Sequence, residues 1–525
     1  MTATPLPAGS LRATSLNAGR RSAELSAAAD EVLDLLVVGG GVTGAGTALD
    51  AAARGLRVAL IEAEDLAWGT SRWSSKLVHG GLRYLARGDV PLARESAVER
   101  NVLMTRTAPH LVRTLPQLIP LHDELSRKSE VILNAGLRAG DALRRSARTP
   151  SAVLPAPRHV PALQASALVP GLRTDGLRGG LLSYDGQLID DARLVVAIAR
   201  TAAGFGAKVL PRVRATALHR DGADAVDRRS GESLRIRARA VVNATGVWAG
   251  ELAPDVRLRP SRGSHLVIDA ASAGLTGTAL VLPASGGRFL LLLPQSDGTA
   301  YLGLTDEPVR GPIESVPEVP ESDVDFLLDA ARSALNVPLS REHVVGSFAG
   351  LRPLLDAPAG RKKSDSADLS RQHAVRTSPD GVVTVVGGKL TTYRRMAADA
   401  VDTAIRAAGL PAGPSRTTAV PLVGAAPRAD LERVEADPRL LARYGTEAAR
   451  VAALAELDSD LDSPVTEGID LTAAEVLWAV RHEGALETED VLDRRSRIGL
   501  RRDRRERAQP AVAELVDKAL HGVLD

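Results

Sequence analysis

Apolar residues run unbroken from Leu35 to Val38 and stop at a cluster of glycines, the pattern of a parallel strand buried on both faces. An alanine-rich helix follows, then a second strand from Arg57 to Ile61 that ends at Glu62. Further on, Pro91 suits the first turn of a helix carrying Leu92, Ser96, Val98, Val102 and Leu103, with Pro109 as its stop. Residues 115 to 175 are rich in Pro and Arg with short apolar pieces, which reads as a lid or an insertion rather than a core. Asp190 or Asp191 then caps a helix that turns Leu194, Val195 and Ile198 inward, and Gly204 or Gly206 ends it. Ala240 to Gly246 form another apolar strand, ending in Asn, Thr and Gly.

From Leu258 to Asp306 the pattern changes to short alternating runs, HLVID, ALVLP, RFLLLLP and AYLGLTD, which predict an antiparallel sheet set between the nucleotide-domain segments. A polar loop is expected at 361–368, and Val382 to Val386 supply one more strand before Gly387, Gly388 and a helix from about Arg394 to Ala407. The expected fold is α/β: a Rossmann-type domain with an inserted antiparallel-sheet domain and a C-terminal helical domain. The boundaries read as a disordered tail at 1–30 and a main region at 31–410. Within that region the Rossmann-type segments are about 31–110, 181–257 and 345–410, and the inserted segments about 111–180 and 258–344. A linker at 411–427 leads to a helical domain at 428–525.

Composition narrows the chemistry. The 525 residues exceed one ordinary core. Lys and Arg total 66 against 64 for Asp and Glu, so the overall charge favours no nucleic acid. With no cysteine, thiolate catalysis and cysteine-held clusters are excluded within this chain, no metal site is expected, and redox chemistry requires an organic cofactor. No apolar run approaches the roughly 20 residues of a membrane span, and the first 30 residues lack the apolar core of a secretory signal.

Gly39, Gly41 and Gly44 stand in the G-x-G-x-x-G spacing between strand and helix. The first permits a tight turn, the second lets backbone approach a pyrophosphate, and the third lets helix pack on strand. The diphosphate belongs on the helix N-terminus. Glu62 lies at the distance of the acid that bonds a ribose hydroxyl and disfavours a 2′-phosphate. Behind it comes a stretch dense in hydroxyls, glycines and cations, into which the cofactor is expected to continue.

These pieces resemble one family, the FAD-dependent glycerol-3-phosphate dehydrogenases of the D-amino-acid-oxidase-like flavoproteins. The resemblance covers roughly residues 34 to 500, and it implies that 31–410 is an FAD-dependent oxidoreductase region, a Rossmann-type FAD-binding domain with an inserted antiparallel-sheet substrate domain. It rests on GTSRWSSKLVHGGLRYL at 69–85, DDARL at 190–194, NATGVW at 243–248, RGSH at 262–265, GLTD at 303–306, GLRPL at 350–354 and GGKLTTYR at 387–394. Arg262 departs from the family's usual lysine, and the N-terminal tail is longer than a compact member needs.

The resemblance implies oxidation of sn-glycerol 3-phosphate to dihydroxyacetone phosphate by hydride transfer to flavin N5, with electrons passed to a membrane quinone. It implies FAD held by Gly39, Gly41, Gly44, Glu62, Thr70, Ser71, Ser75, Lys76, Gly246, Gly387 and Gly388. Arg83, Tyr84, His265, Arg352 and Lys389 are implied to face the substrate. A phosphate dianion calls for such fixed cations. His265 is the first choice for the proton acceptor; alternatively Arg83 or Lys389 lowers the hydroxyl pKa and water takes the proton. The implied setting is cytoplasmic and peripheral on the inner face of the cell membrane, and a homodimer is allowed. The arginine-rich run Arg494–Arg507 is a candidate for contact with an anionic leaflet, against its use in internal salt bridges. The rival readings are an oxidase using oxygen, another flavoenzyme of the same group, and a non-enzymatic flavin-binding protein.

Overall fold

The computed structural model describes residues 10–85, 88–284, 288–356, 372–456 and 458–522; the polar segment expected as a loop at 361–368 falls outside them. Two sheets organise the chain. In the first, Val32–Val38 lies at the centre, parallel to Val58–Glu62 on one side and to Ser233–Asn243 on the other. Lys208–Pro211 extends the sheet beyond Val58–Glu62, and Val383–Val386 extends it beyond Ser233–Asn243. Helices Val42–Ala53, Asp191–Gly204 and Tyr393–Ala408 cover one face. Their inner residues are largely alanine and valine, small enough for helix and strand to approach closely.

The opposite face is closed by the hairpin Val213–His219 and Gly222–Asp227 and by a helix from within the expected disordered tail. Residues 18–30 form that helix, with the Asn17 side chain accepting from the Arg20 backbone N–H. Ala28 is fully buried, and Arg21 pairs with Asp227 at 2.6 Å. Its alanine-rich sequence is a good helix former, but the surface it covers lies nearly 200 residues further along. A shorter helix precedes it at Leu11–Thr14, and the Leu16 backbone bonds both His482 and Gly484 of the C-terminal domain.

Among the described residues the second sheet has ten strands and is antiparallel except for one parallel pair, Ala279–Ala284 with Val112–His122. Val112–His122 pairs along its whole length with Leu177–Leu188, so of the two readings of this region, a lid or a substrate-domain insertion, the structure bears out the insertion, which contributes a central strand. The structure also moves two boundaries. Residues 181–188 and 345–352, expected in cofactor-binding segments, belong to this second sheet. Their sequences, LLSYDGQL and VGSFAGLR, mix apolar, polar and glycine residues and do not specify a strand's partner.

The expected linker at 411–427 is packed rather than free: Val420 and Leu422 are buried in the main core, and the Thr417 hydroxyl donates to the buried Asp50 at 3.1 Å. Beyond it the chain is helical, as expected, but joined to the rest by buried ion pairs. Arg193 meets Glu483 at 2.7 Å, and Arg200 meets Glu447 at 2.6 Å. Arg494 and Arg495 meet Asp65 at 2.6 and 2.8 Å, and Arg497 meets Asp191 at 2.5 Å. Three arginines of the run considered for lipid contact are therefore internal, with Arg494 fully enclosed. Among the outer ones, Arg501 pairs with Asp503, Arg502 with Glu506 and Arg505 with Asp493.

Against the upward push of burial, the two guanidiniums hold Asp65 well below the usual carboxylate range. A depressed folded-state pKa gives stability that is present above the unfolded value of about 3.9 and fades as pH falls towards the folded one. Asp65→Ala leaves two buried cations without their carboxylate and is expected to destabilise the protein by about 3–5 kcal/mol. Denaturant unfolding at pH 7 should register that loss, and the gap between variant and parent should narrow below pH 4; a change under 1 kcal/mol would refute the role given to this pair.

Candidate active site

The glycine turn opens a cleft of about 2460 Å³ that runs between the two sheets. This exceeds the roughly 300–1,000 Å³ of a single small-ligand pocket and leaves room for a dinucleotide and a substrate together. Gly39 has φ +109°, and a Cβ there would sit 2.7 Å from the Ala244 carbonyl oxygen. At Gly44 a Cβ would be 1.8 Å from the Gly39 oxygen, so close helix packing demands glycine. Gly41 caps the helix Val42–Ala53 without a side chain, and the Val42 N–H donates to the Ser71 hydroxyl at 2.9 Å. Glu62 also lines the cleft, its carboxylate accepting from the Gly40 and Glu64 backbone N–H groups at 2.5 and 2.8 Å. Burial pushes its pKa up, against those two donors. This cradle fits a dinucleotide: a donor-rich helix end, no Cβ where a pyrophosphate approaches, and an acid at the end of the second strand.

Of the expected cofactor residues, Thr70, Ser71, Ser75, Gly246, Gly387 and Gly388 also line the cleft. Thr70 donates to the Leu351 carbonyl at 2.6 Å, which ties the hydroxyl loop to the strand bearing Arg352. Gly246, Gly387 and Gly388 all have positive φ. Lys76 is the exception. Its ammonium turns inward to Asp191 at 2.9 Å and to the Arg72 and Ser74 carbonyls at 3.0 Å, and it stands on the wall of a different cavity. Burial, with Arg497 adding to it, pushes Lys76 down to about 7 while Asp191 opposes them. The hydroxyl-rich sequence around it concealed a structural ion pair.

Four of the five expected substrate residues meet in the same cleft. Lys389, at the start of a helical turn after the Gly387-Gly388 pair, donates to the Ser96 hydroxyl and stands 3.8 Å from the centre of the Tyr84 ring. Arg352 ends the strand Val344–Arg352 and is aimed by Ser261 at 3.1 Å and by Asp306 and the Thr305 carbonyl at 3.2 Å. A Cβ on Gly263 would lie 2.4 Å from its guanidinium, so that glycine makes the lane it occupies. Arg83 belongs to the short helix Leu82–Leu85, and its side chain lies outside the described residues.

His265 sits mid-strand, directly opposite Gly303 in register, where a Cβ would be 2.4 Å from the imidazole. Its ring stacks on Phe348 at 4.6 Å, and Nε2 lies 2.8 Å from the Ser75 hydroxyl. Burial, then the cations Lys76 and Arg352, push it down to about 3. The imidazole is neutral near pH 7, so it is available to take a proton but is a weaker base than an exposed histidine.

Several lining residues were not anticipated. Trp68, Trp73 and Trp248, three of the four tryptophans in the chain, line the cleft, and the scarcity of aromatics was the available signal. Asp306 was visible in GLTD, but its pairing with Arg352 needed the fold.

A family model described as FAD dependent oxidoreductase matches residues 34–394, and one for the C-terminal domain of alpha-glycerophosphate oxidase matches residues 415–521. Glycerol-3-phosphate dehydrogenase 1 of Mycobacterium tuberculosis is 52% identical over 512 residues, covering 96% of this chain and 98% of the relative. Among solved structures, the glycerol-3-phosphate dehydrogenase from Bacillus halodurans complexed with FAD superposes with a TM-score of 0.72 at 26% identity, over 97% of each chain. L-alpha-glycerophosphate oxidase from Mycoplasma pneumoniae shares the fold at a TM-score of 0.55 and 19% identity, over 74% of this chain and 97% of that one. Matched in both of its parts, and by a relative along nearly its whole length, the chain belongs to the FAD-dependent glycerol-3-phosphate dehydrogenase family.

Proposed function

We propose that the protein oxidises sn-glycerol 3-phosphate at its secondary hydroxyl to dihydroxyacetone phosphate and passes the electrons to a membrane quinone. The observation that carries this reading is the meeting of Arg352, Lys389, Tyr84 and His265 in the cleft that begins at the glycine turn. A phosphate monoester brings nearly two negative charges, which two or three fixed cations suit better than they suit a single carboxylate. Arg352 and Lys389 bind and orient the substrate, and Arg83 is kept as the third cation on its place in HGGLRY. Bound FAD supplies the two-electron acceptor, with N5 as the position that takes the hydride. Neutral His265 takes the hydroxyl proton, and Arg352, one of the cations that depress its pKa, stabilises negative charge on the oxygen as the proton leaves.

The quinone acceptor is supported by a surface other than the arginine run. Helix Arg127–Ser146 exposes Val131 (67%) and Ile132 (61%), and Ile132 stands at the mouth of the same cleft together with the half-exposed Phe289. Lys128 and Arg138 flank that stripe in exposed positions, while Glu130 is turned to Arg178 and Asp141 to Arg144 and Arg145. An apolar stripe bordered by cations suits an anionic bilayer surface, from which a quinone would reach the cleft. Peripheral attachment on the cytoplasmic side follows from this reading.

Arg352→Ala and Lys389→Ala should each weaken substrate binding tens-fold, about 2 kcal/mol, while FAD is retained; equal loss of flavin would reassign them to the cofactor. His265→Ala should lower kcat about a hundredfold or more. Because burial and neighbouring cations push His265 down to about 3, it should contribute no limb to the parent's kcat/KM between pH 5 and 8, where the substrate's own phosphate titrates at about 6; a limb at about 6.5 that disappears in the variant would contradict this. Finally, glycerol 3-phosphate should bleach the flavin anaerobically, and a quinone analogue should reoxidise it far faster than air does. Val131→Asp with Ile132→Asp should release the protein from anionic vesicles, whereas rapid reoxidation by oxygen alone would favour the oxidase reading.

A further inference from the structure

We propose that a second cavity, of about 760 Å³ between the substrate sheet and the C-terminal domain, binds a compact multivalent anion bearing phosphate or carboxylate groups. Its size falls within the range of small-ligand sites. Three arginines on its wall, Arg113, Arg428 and Arg504, have no carboxylate within ion-pair distance among the described residues. Arg113 is held in place by Gln187 at 2.8 Å and by the Pro294 carbonyl at 2.9 Å, so its guanidinium is already aimed.

Arg497, which is 91% buried, stands on the same wall. One of its terminal nitrogens is used by Asp191 and the Arg72 carbonyl, and its Nε and other terminal nitrogen are enclosed by protein. It therefore adds positive charge to the wall rather than donors within the cavity, and the donors are those of Arg113, Arg428 and Arg504. The counter-charges lie behind the wall rather than in the cavity. Asp191 sits behind Arg497 and Lys76, and Glu475 sits behind Arg439 and Arg443. The carboxylates that do line it, Asp297, Glu432 and Asp470, are exposed. Guanidinium forks match the paired oxygens of phosphate and carboxylate, which a monatomic anion lacks. This cavity is separate from the substrate cleft but close behind it, since Lys76 on its wall follows Ser75, whose hydroxyl bonds His265.

Calorimetric titration of the FAD-loaded protein at constant ionic strength tests the site, with sodium pyrophosphate as the phosphate probe and tricarballylate as the carboxylate probe. To keep the substrate cleft out of the reading, the titration is repeated in Arg352→Ala/Lys389→Ala holoenzyme, where saturable binding of one anion per chain is expected to persist. Adding Arg428→Glu and Arg504→Glu to that protein is expected to weaken it about tenfold or more. Arg504→Gln, a milder change, should weaken it less, with an unaltered flavin spectrum. Binding of pyrophosphate alone would assign a phosphate ligand; binding of both probes would assign paired oxygens of either kind. The proposal fails if neither probe binds saturably, if binding disappears with the cleft substitutions, or if the charge-reversed protein binds as tightly as its parent.

Discussion

The cleft depends on buried pairing between carboxylates of the cofactor domain and arginines near the C-terminus. The loop that carries Thr70, Ser71 and Ser75 is anchored on both sides. Asp65 before it is held by Arg494 and Arg495, and Lys76 after it is held by Asp191, which Arg497 also grips. A hydroxyl loop of this composition would otherwise have many local turns to choose from. Because the charges are enclosed, removing one partner strands another, and the helical domain cannot separate from the cofactor domain without exposing the set. The second sheet shares this dependence, since a Cβ on Gly346 would fall 1.9 Å from the Leu500 carbonyl.

Inside the cleft the governing constraint is space. His265 and Arg352 are large groups set on tightly paired strands, and each occupies room left by a glycine on a neighbouring strand, Gly303 for the imidazole and Gly263 for the guanidinium. Packing of this kind fixes a side chain before any ligand arrives, which reduces the ordering cost of binding. The same packing removes water from His265 and lowers its basicity, so positional precision and proton affinity are set against each other.

Arginine serves two purposes that composition alone does not separate. Arg352 faces the cleft with Asp306 beside it and oxygen acceptors around it, whereas Arg193, Arg200, Arg494 and Arg495 are enclosed partners of buried acids, Arg494 of both Asp65 and Asp490. On the helix Arg127–Ser146, Leu133 and Leu137 pack inward while Val131 and Ile132 are exposed, with Lys128 and Arg138 exposed beside them.

Local pattern was sufficient for the nucleotide turn, because Gly39, Gly41, Gly44 and Glu62 act within one strand, turn, helix and strand, where spacing is geometry. The same held for the Asp190 cap and for the alternating runs of the second sheet. Family motifs pointed to His265, Tyr84, Arg352 and Lys389, and the fold brings their side chains to one cavity. Only tertiary structure could decide which partner each strand takes, since the mixed sequences at 181–188 and 345–352 carry no pattern that favours one sheet over the other. It alone set the N-terminal helix and the segment at 411–427 against the core, because the surfaces they cover are remote in sequence. Charge behaved in the same way: an arginine or lysine reads identically whether it meets solvent, substrate or a buried carboxylate. Asp490 lies one helical turn from Arg494, but Asp191 and Asp65, which claimed Lys76, Arg494, Arg495 and Arg497, lie more than 100 residues away, where no local spacing rule reaches.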